Sequence, residues 1–409
     1  MSNTAVKSDP PAILWAIIAV SALAVSVFIM APPMVGEMVR GLGLGNNQAG
    51  YVMSAEFAGM ALACFPAYYW LHRVETAKAV RVAMTLSVLG NLATALLVLS
   101  SADFFTLLGL RVLTGLPNGS LMVICLKTIS QMNNIERGYA LHTVGQIAGG
   151  AVGVLVLPYL FMVTGLYAAY LLFGLAMLLA LPLARHFPCQ RMAALKHKLI
   201  EAPTVITPGQ WLLGGLGVLG ILLFYIGLVG VWTYAERIGT ASGLTTTTIG
   251  IVLSVTAVLG ILGASTAALL AGRVSTLAMI VLGMSMMTLS VWLFHGPQSL
   301  LRFIAAASVA KLFWTFVLPF LLSTVTAVDY SGRIVTSLFM IISIGVALGP
   351  ALAAALIGET NDYDRIVWVC LGLLIACSVI MTFVAYKARI MNQQRVTESI
   401  HPQPENNLA

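Results

Sequence analysis

Charged side chains are scarce in this sequence. Asp, Glu, Lys and Arg together make up 9% of its 409 residues, whereas a typical soluble domain contains about 25%. Hydrophobic residues make up 59%, and the mean hydropathy is +0.96. This balance excludes a soluble globular domain and indicates a protein that crosses a membrane many times.

Recognisable motifs of nucleotide, metal and covalent chemistry are absent as well. The sequence contains no Walker-type loop, no cluster of metal ligands and no catalytic triad. Its five cysteines include no CxxC pair, so we expect neither a structural disulfide nor a metal site. We therefore expect no cofactor and no enzymatic activity, and ATP-driven pumping is disfavoured.

Long apolar segments dominate the chain instead. Segments of roughly 20–25 residues are long enough to cross the hydrocarbon core of a bilayer as helices. They predict an all-α polytopic membrane protein with twelve transmembrane helices, at 12–36, 47–71, 79–99, 104–128, 138–162, 166–186, 211–235, 246–271, 276–294, 299–326, 333–357 and 364–386. The first segment has no small-residue cleavage site before the polar turn at 41–48, so we expect it to remain as a helix.

Positive charge is distributed unevenly between the predicted loops. With cytoplasmic termini, fifteen Lys and Arg residues lie on the cytoplasmic side and four lie outside, while Arg111 and Lys311 are embedded. This positive-inside bias predicts a protein of the bacterial inner membrane with both termini in the cytoplasm. The lipid bilayer, rather than nucleic acid, accounts for the net charge of +7.

The two halves of the chain resemble each other. A shift of 200 residues lays 44–74 on 244–274 without a gap, and a shift of 196 matches further residues downstream. The matched pairs include Gly50/Gly250, Ser54/Ser254, Arg73/Arg273, Arg137/Arg333, Gly149/Gly345 and Gly153/Gly349. Parallel repeats of this kind, with a site near the membrane midplane between them, occur in secondary transporters.

The repeat and the loop lengths divide the chain into five parts. Two pseudo-symmetric six-helix bundles are predicted at 12–186 and 211–386. A cytoplasmic linker at 187–210 joins them, since this is the longest and most basic connection. The remaining parts are cytoplasmic tails at 1–11 and 387–409, and we expect 392–409 to be disordered.

A polar stripe interrupts the apolar segment at 299–326. Lys311 lies near its middle, where a cation costs roughly 2.5–3.5 kcal/mol on an insertion scale. At helical spacing Ser308 and Thr315 share its face, and Trp314 lies beside it. Lys311 is therefore either a cavity cation that meets substrate or a structural cation paired with a carbonyl or with Glu56.

A second polar stripe lies on the fourth predicted span, where Arg111, Gly115 and Asn118 share one side. The acid that lies deepest in a predicted span is Glu56, about ten residues into the second. Glu56 is either a protonatable switch or the permanent partner of Arg111 or Lys311.

The seventh predicted span carries Tyr225, Trp232 and Glu236 on one stripe that runs toward the outer surface. The two aromatic residues either shape a substrate pocket or serve in packing, as most aromatic residues of membrane helices do. Glu236 is expected to be a gate or a snorkelling interfacial acid rather than a ligand.

Several of these runs resemble the major facilitator superfamily: the turn and span at 41–74, the run from Arg111 to Gly119, the glycine run at 145–153 and the loop at 329–333. The resemblance covers essentially the whole membrane portion and implies the fold of that family, with two six-helix bundles. It also implies a role in proton coupling for Arg111. The small residues of the fifth and eleventh spans are then possible gates, namely Gly145, Gly149, Gly153, Gly345 and Gly349.

We therefore expect a proton-coupled secondary transporter that moves a small organic anion, such as a carboxylate, by alternating access and works as a monomer. Two embedded cations, Arg111 and Lys311, would hold the anion, and Glu56 would carry the proton. The other residues expected to contact substrate are Asn118, Tyr225, Trp232, Ser308, Trp314 and Thr315. The alternatives are a proton-driven drug efflux antiporter, which the charge of Lys311 disfavours, and a non-transporting membrane sensor.

Overall fold

The computed structural model of the chain is helical throughout the residues that it describes, which are 11–70, 73–100, 103–132, 135–188, 208–329, 333–358 and 362–400. The first part contains α1 (Pro11–Ala24), α2 (Ser26–Ile29), α3 (Ala31–Gly41), α4 (Asn46–Trp70), α5 (Thr76–Leu99), α6 (Phe104–Ile129), α7 (Ile135–Val163), α8 (Leu166–Ala180) and a 3-10 helix (Leu181–His186). The second part contains α9 (Pro208–Ala241), α10 (Thr246–Leu270), α11 (Thr276–Leu293), α12 (Leu300–Ala327), α13 (Arg333–Ile357) and α14 (Tyr363–Ile400).

The helices agree closely with the predicted spans. Ten of the described helices are long and apolar enough to cross a membrane. The broken segment α1–α3 and the 25-residue helix α4 correspond to the two remaining predicted crossings. The protein is thus an all-α polytopic membrane protein, and the span around Lys311, predicted at 299–326, runs from Leu300 to Ala327.

The first predicted span is not one continuous helix. It breaks at Val25 and again at Met30, immediately before α3. Pro32 and Pro33 occupy the first turn of α3, where a residue without an N–H is tolerated because that group has no helical partner. Neither proline can donate to a carbonyl of the preceding turn, so the helix ends and restarts there and then continues to Gly41.

The last helix is longer than the sequence predicts. Disorder is predicted from residue 392, but α14 continues to Ile400, so the prediction is wrong for 392–400. The residues after Tyr386 lose hydrophobicity but include Ala, Arg, Met and Gln, which are good helix formers. At 1.5 Å per residue α14 is about 57 Å long and extends beyond a hydrocarbon core of about 30 Å. Residues 1–10 and 401–409 of the predicted tails, and 189–207 of the predicted linker, lie outside the described residues.

Capping side chains fix where α6 and α12 begin. The carboxylate of Asp103 accepts hydrogen bonds from the backbone N–H and the hydroxyl of Thr106, both at 2.9 Å. These bonds stabilise the ionised form and lower the pKa of Asp103. Ser299 caps α12 in the same way through the N–H of Arg302. The two caps are 196 residues apart, which matches the second shift of the repeat.

Small residues bring α4 and α6 into direct backbone contact. A Cβ added at Gly115 would collide with the carbonyl oxygen of Glu56, and one added at Gly59 would lie 3.0 Å from the Cα of Gly115. A third glycine, Gly119, faces the backbone of Met60. Close backbone approach of this kind is how membrane helices associate without a hydrophobic driving force. It places Glu56 and Arg111 side by side.

The two bundles meet along two seams that repeat one another. In one seam, Ser54 of α4 donates a hydrogen bond of 2.6 Å to the carbonyl of Ala347 in α13. In the other, Ser254 of α10 donates one of 2.8 Å to the carbonyl of Ala151 in α7. The donors are 200 residues apart and the acceptors 196, which are the two shifts found in the sequence.

Matching glycines accompany these serines. A Cβ at Gly50 would lie 2.9 Å from the Cβ of Ala354, and a Cβ at Gly250 would lie 2.8 Å from Cγ of Pro158. Each glycine thus allows a helix of one bundle to approach a helix of the other. The two bundles are pseudo-symmetric at the surface where they touch.

Candidate functional site

Lys311 lies at the boundary between the bundles, between two indole rings. Its Nζ is 4.4 Å from the ring centroid of Trp232 in α9 and 4.6 Å from that of Trp314 in α12. The lysine is 5% exposed. Within the part of the chain that the structure describes, its ammonium forms no ion pair and no hydrogen bond. The charge is therefore held by ring faces alone.

The indole rings position the ammonium without using its donors. A cation over an aromatic face is attracted by the ring quadrupole, but the three N–H groups of a lysine need lone pairs for hydrogen bonds. Trp232 adds a further unused donor, because its Nε1 is buried and has no hydrogen-bond partner among the described residues. Lys311 and Trp232 together present donors and no acceptor.

An edge-to-face series of aromatic rings connects this lysine to the first bundle. Trp314 packs against Trp232 at 6.4 Å and against Phe28 of α2 at 5.9 Å between ring centroids. Phe28 in turn packs against Phe57 of α4 at 5.6 Å. We call these four residues the aromatic series. Its members come from both bundles, so the rings beside Lys311 lie next to the surface where the bundles meet.

Arg111 occupies a different and closed environment inside the first bundle. Its Nη2 lies 2.6 Å from Oε1 of Glu56, and its Nε donates to Oε2 at 3.1 Å. Nη1 donates to Oγ1 of Thr94 at 3.0 Å, and the guanidinium lies 4.7 Å from the ring centroid of Tyr170. Arg111 is 0% exposed and Glu56 is 2% exposed. Of the two cations that the sequence offers as a partner for Glu56, the structure pairs it with Arg111.

The remaining site residues separate into those near Lys311 and those elsewhere. Ser308 is half-buried one turn before Lys311, and the hydroxyl of Thr315 donates to the carbonyl of Gly260 at 2.7 Å. Tyr225 is buried, with its ring 5.5 Å from that of Phe224. Asn118 belongs to the first bundle, where it accepts a hydrogen bond of 2.7 Å from Ser87.

Glu236 lies at the end of the molecule where α3 joins α4 and α9 joins α10, which we call the outer end. It forms an ion pair of 2.5 Å with Arg40 of the first bundle, and Arg40 also lies 3.7 Å from Glu37. Two further hydrogen bonds cross the boundary to Asn46, from the hydroxyl of Tyr234 at 2.7 Å and from Arg237 at 2.9 Å. These contacts join the two bundles at the outer end.

The glycines proposed as gates face helices of their own bundle. A Cβ added to a glycine of α7 would meet a side chain of α1 or α2–α3 in the first bundle: Ile18 for Gly145, Ala22 for Gly149 and Met30 for Gly153. A Cβ added at Gly345 or Gly349 of α13 would meet α9 of the second bundle. Their smallness therefore serves packing within each bundle. The glycines that face the opposite bundle are Gly36, Gly50 and Gly250.

Sequence reasoning missed several residues of these sites. Phe28 and Phe57 give no polar signal, and only the fold places Phe28 beside Trp314 and Phe57 beside Phe28. Arg40 and Asn46 are counted as parts of an outer loop when the first span is taken to end at residue 36. The continuation of α3 to Gly41 could have been found by allowing the helix to restart at Pro32.

Comparisons with known proteins agree with this architecture. The model of the Major Facilitator Superfamily matches residues 14–350. The chain belongs to this superfamily. A comparison with curated proteins gave no match.

Solved superfamily structures share the fold across nearly the whole chain. The nucleoside transporter NupG superposes with a TM-score of 0.69 at 11% identity, over 92% of this chain and 98% of that one. A bacterial homologue of the human lysosomal transporter Spinster, in an inward-facing and unoccupied conformation, superposes with a TM-score of 0.65 at 14% identity, over 93% and 98%. At these identities the likeness concerns the fold.

Proposed function

We propose that this superfamily member is a proton-coupled secondary transporter of a small organic anion, such as a carboxylate, and that it works by alternating access. One observation carries the proposal: Lys311 is buried with its ammonium between the rings of Trp232 and Trp314, and it has no acidic partner among the described residues. Buried charges in proteins are normally paired, and charged residues inside membrane spans mark substrate or ion paths. An anionic substrate supplies the missing partner.

The charge of the first bundle does not alter this argument. Arg111 is compensated by Glu56 at 2.6 Å, so this buried pair is neutral as a unit. The net charge of the site is then the positive charge of Lys311. A positive site attracts anions and repels the lipophilic cations that many drug exporters carry.

Proton coupling is assigned to the pair of Glu56 and Arg111. A carboxylate held by an arginine is able to accept a proton when a conformational change separates the two, because an isolated buried carboxylate is strongly disfavoured. Symport of one proton with one monovalent anion moves no net charge. The resemblance of the run from Arg111 to Gly119 to the proton-coupling motif of the superfamily supports this role.

Alternating access requires the closed outer end to open. Arg40 and Glu236 cross between the bundles there, and the ion pair that joins them has to break whenever the substrate site faces that side. We assign the outer end to the periplasm and both termini to the cytoplasm of a bacterial inner membrane, following the distribution of Lys and Arg. The two bundles form a complete site in a single chain, so we propose a monomer.

A thermal-shift panel on the purified protein in detergent tests the substrate class. Organic anions and lipophilic cations are compared on wild type, Lys311→Met and the matched control Lys127→Met, which makes the same change at a half-buried lysine of α6. A ligand at 100 times its Kd stabilises by about 2.7 kcal/mol. We expect some anions to stabilise wild type and Lys127→Met but not Lys311→Met.

Two results would overturn the proposal. Stabilisation by anions that persists in Lys311→Met would remove the lysine from the site. Stabilisation by lipophilic cations that grows in Lys311→Met would make the molecule a drug efflux antiporter, since the aromatic series would then be the binding surface.

A further inference from the structure

The site around Lys311 carries more information than the sign of the substrate's charge. Nε1 of Trp232 is a buried donor without a partner, and the ammonium of Lys311 lies over the same indole ring, 4.4 Å from its centroid. The two donors are therefore neighbours. A carboxylate has two acceptor oxygens, so a single headgroup is able to satisfy both donors at once.

Among the described residues, the site offers compensation for one negative charge. Lys311 is the cation that contacts the aromatic series, while Arg111 is committed to Glu56. A second carboxylate or the second charge of a phosphate ester would be buried without a partner, which is strongly unfavourable. The substrate is therefore expected to be a monoanion.

Aromatic rings lie beside the two donors. The contacts of Phe57, Phe28, Trp314 and Trp232 are all edge-to-face, with interplanar angles of 78°, 85° and 63° along the series. Phe28 and Trp314 are only half-buried, so parts of their rings are free to contact a bound molecule. Edge-to-face aromatic pairs gain about 0.5–1.5 kcal/mol beyond the burial of their area.

From these three observations we infer that the substrate is an aromatic monocarboxylate: one carboxylate, held by Lys311 Nζ and Trp232 Nε1, on a flat ring that packs against Phe28 and Trp314. This inference rests on the proposed transport of organic anions and adds the substrate's shape and charge number. Trp232 acts in it as a hydrogen-bond donor, in addition to its ring contact with Lys311.

Binding measurements with three matched probes test the inference. Benzoate is compared with cyclohexanecarboxylate, which has the same size without an aromatic ring, and with phthalate, which adds a second carboxylate. On wild type we expect benzoate to bind roughly threefold to tenfold more tightly than cyclohexanecarboxylate, the range that corresponds to an aromatic contact. Phthalate should bind at least about tenfold more weakly, because its second charge lacks a partner.

Two conservative variants separate the headgroup from the ring. Trp232→Phe keeps a ring under Lys311 but removes the N–H, so the affinities for benzoate and cyclohexanecarboxylate should fall by the same factor, about tenfold. Phe28→Leu keeps an apolar contact but removes one of the two rings, so the preference for benzoate should shrink to the part that Trp314 supplies, while the affinity for cyclohexanecarboxylate stays unchanged. Elution of both variants as monodisperse species confirms that they fold.

The outcomes distinguish this inference from the proposed function. If phthalate and cyclohexanecarboxylate bind wild type as tightly as benzoate, and Lys311→Met abolishes all three, the inference fails and anion transport stands. If Trp232→Phe leaves all affinities unchanged, the indole donor has no part in binding and the inference fails. If no carboxylate binds wild type in a Lys311-dependent way, both fail.

Discussion

The buried pair of Glu56 and Arg111 gives a stability prediction that the structure makes quantitative. Both side chains are almost completely buried, and the two nitrogen–oxygen contacts of 2.6 and 3.1 Å form a two-point pair. Removing one partner of a buried pair costs about 3–5 kcal/mol because it leaves the other charge uncompensated. The free energy of unfolding of a protein is about 5–15 kcal/mol in total, so Glu56→Gln should lose a large share of its free energy of unfolding.

A double-mutant cycle isolates the effect. In Glu56→Gln combined with Arg111→Met no charge of this buried pair remains, and replacement of a buried pair by neutral groups often changes stability little. We expect the double variant to be more stable than Glu56→Gln alone, with a coupling energy of about 2–3 kcal/mol. The assay is unfolding in mixed micelles followed by helicity. Additive costs, or a loss of less than about 0.5 kcal/mol in Glu56→Gln, would refute the reasoning.

Transport measurements on Glu56→Gln decide whether the pair of Glu56 and Arg111 also carries the proton. In proteoliposomes, Glu56→Gln should still exchange labelled for unlabelled substrate, because exchange requires no net proton movement. Uptake driven by a pH gradient should be lost. Intact gradient-driven uptake in Glu56→Gln would make the pair a structural one and remove it from the coupling mechanism.

Three further predictions concern helix contacts. Ser54→Ala and Ser254→Ala should each weaken their seam by about 0.6 kcal/mol. Hydrogen exchange should increase equally in α4 and in α10, and an increase in only one of the two helices would contradict the structural repeat. Gly115→Ala should destabilise the protein by about 1–3 kcal/mol through overpacking. Gly109 is on the same helix, but a Cβ added there meets nothing within 4 Å, so Gly109→Ala should leave the thermal midpoint unchanged or slightly raised. Glu236→Gln should open the outer end, so that a cysteine placed in the seam reacts faster with a membrane-impermeant thiol reagent; unchanged labelling would show that the ion pair does not hold the gate.

Hydrophobic length alone predicts most of this architecture. The bounds of α12 differ by one residue from those predicted, because Ser299 is both a polar boundary and an N-cap. The same reasoning fails in two places where hydropathy and helix formation diverge. The proline pair Pro32–Pro33 divides an apolar segment, and the polar residues after Tyr386 continue a helix.

The site is predictable only in part, since the choice of partners depends on the fold. Sequence alone identifies Lys311, Arg111 and Glu56 as buried charges, but it leaves open which of the two cations forms an ion pair with Glu56. The answer depends on Gly115, which brings the backbones of α4 and α6 together and puts Glu56 within reach of Arg111. Trp232 lies 79 residues before Lys311 in the chain, and no periodicity within one helix reveals that contact.

The repeat explains why Lys311 has no acidic partner in the part of the chain that the structure describes. Under the shift of 200 residues Glu56 corresponds to Thr256, and under the shift of 196 that relates the caps of α6 and α12, Arg111 corresponds to Ala307. Both equivalents are neutral and buried, so the second bundle lacks an ion pair at this position.

Under the same shift of 196 residues, Lys311 corresponds to Gly115, which lies one helical turn after Arg111. The two bundles therefore agree at the seams, where matching serines and glycines are needed for symmetric contact, and differ where charge is buried. A rocking motion requires that the seams stay alike, whereas binding an anion and carrying a proton are different tasks that one symmetric pair of sites would duplicate. On the proposed mechanism, the repeated serines and glycines of the seams would serve the motion, and the departures from the repeat at Glu56, Arg111 and Lys311 would serve the chemistry.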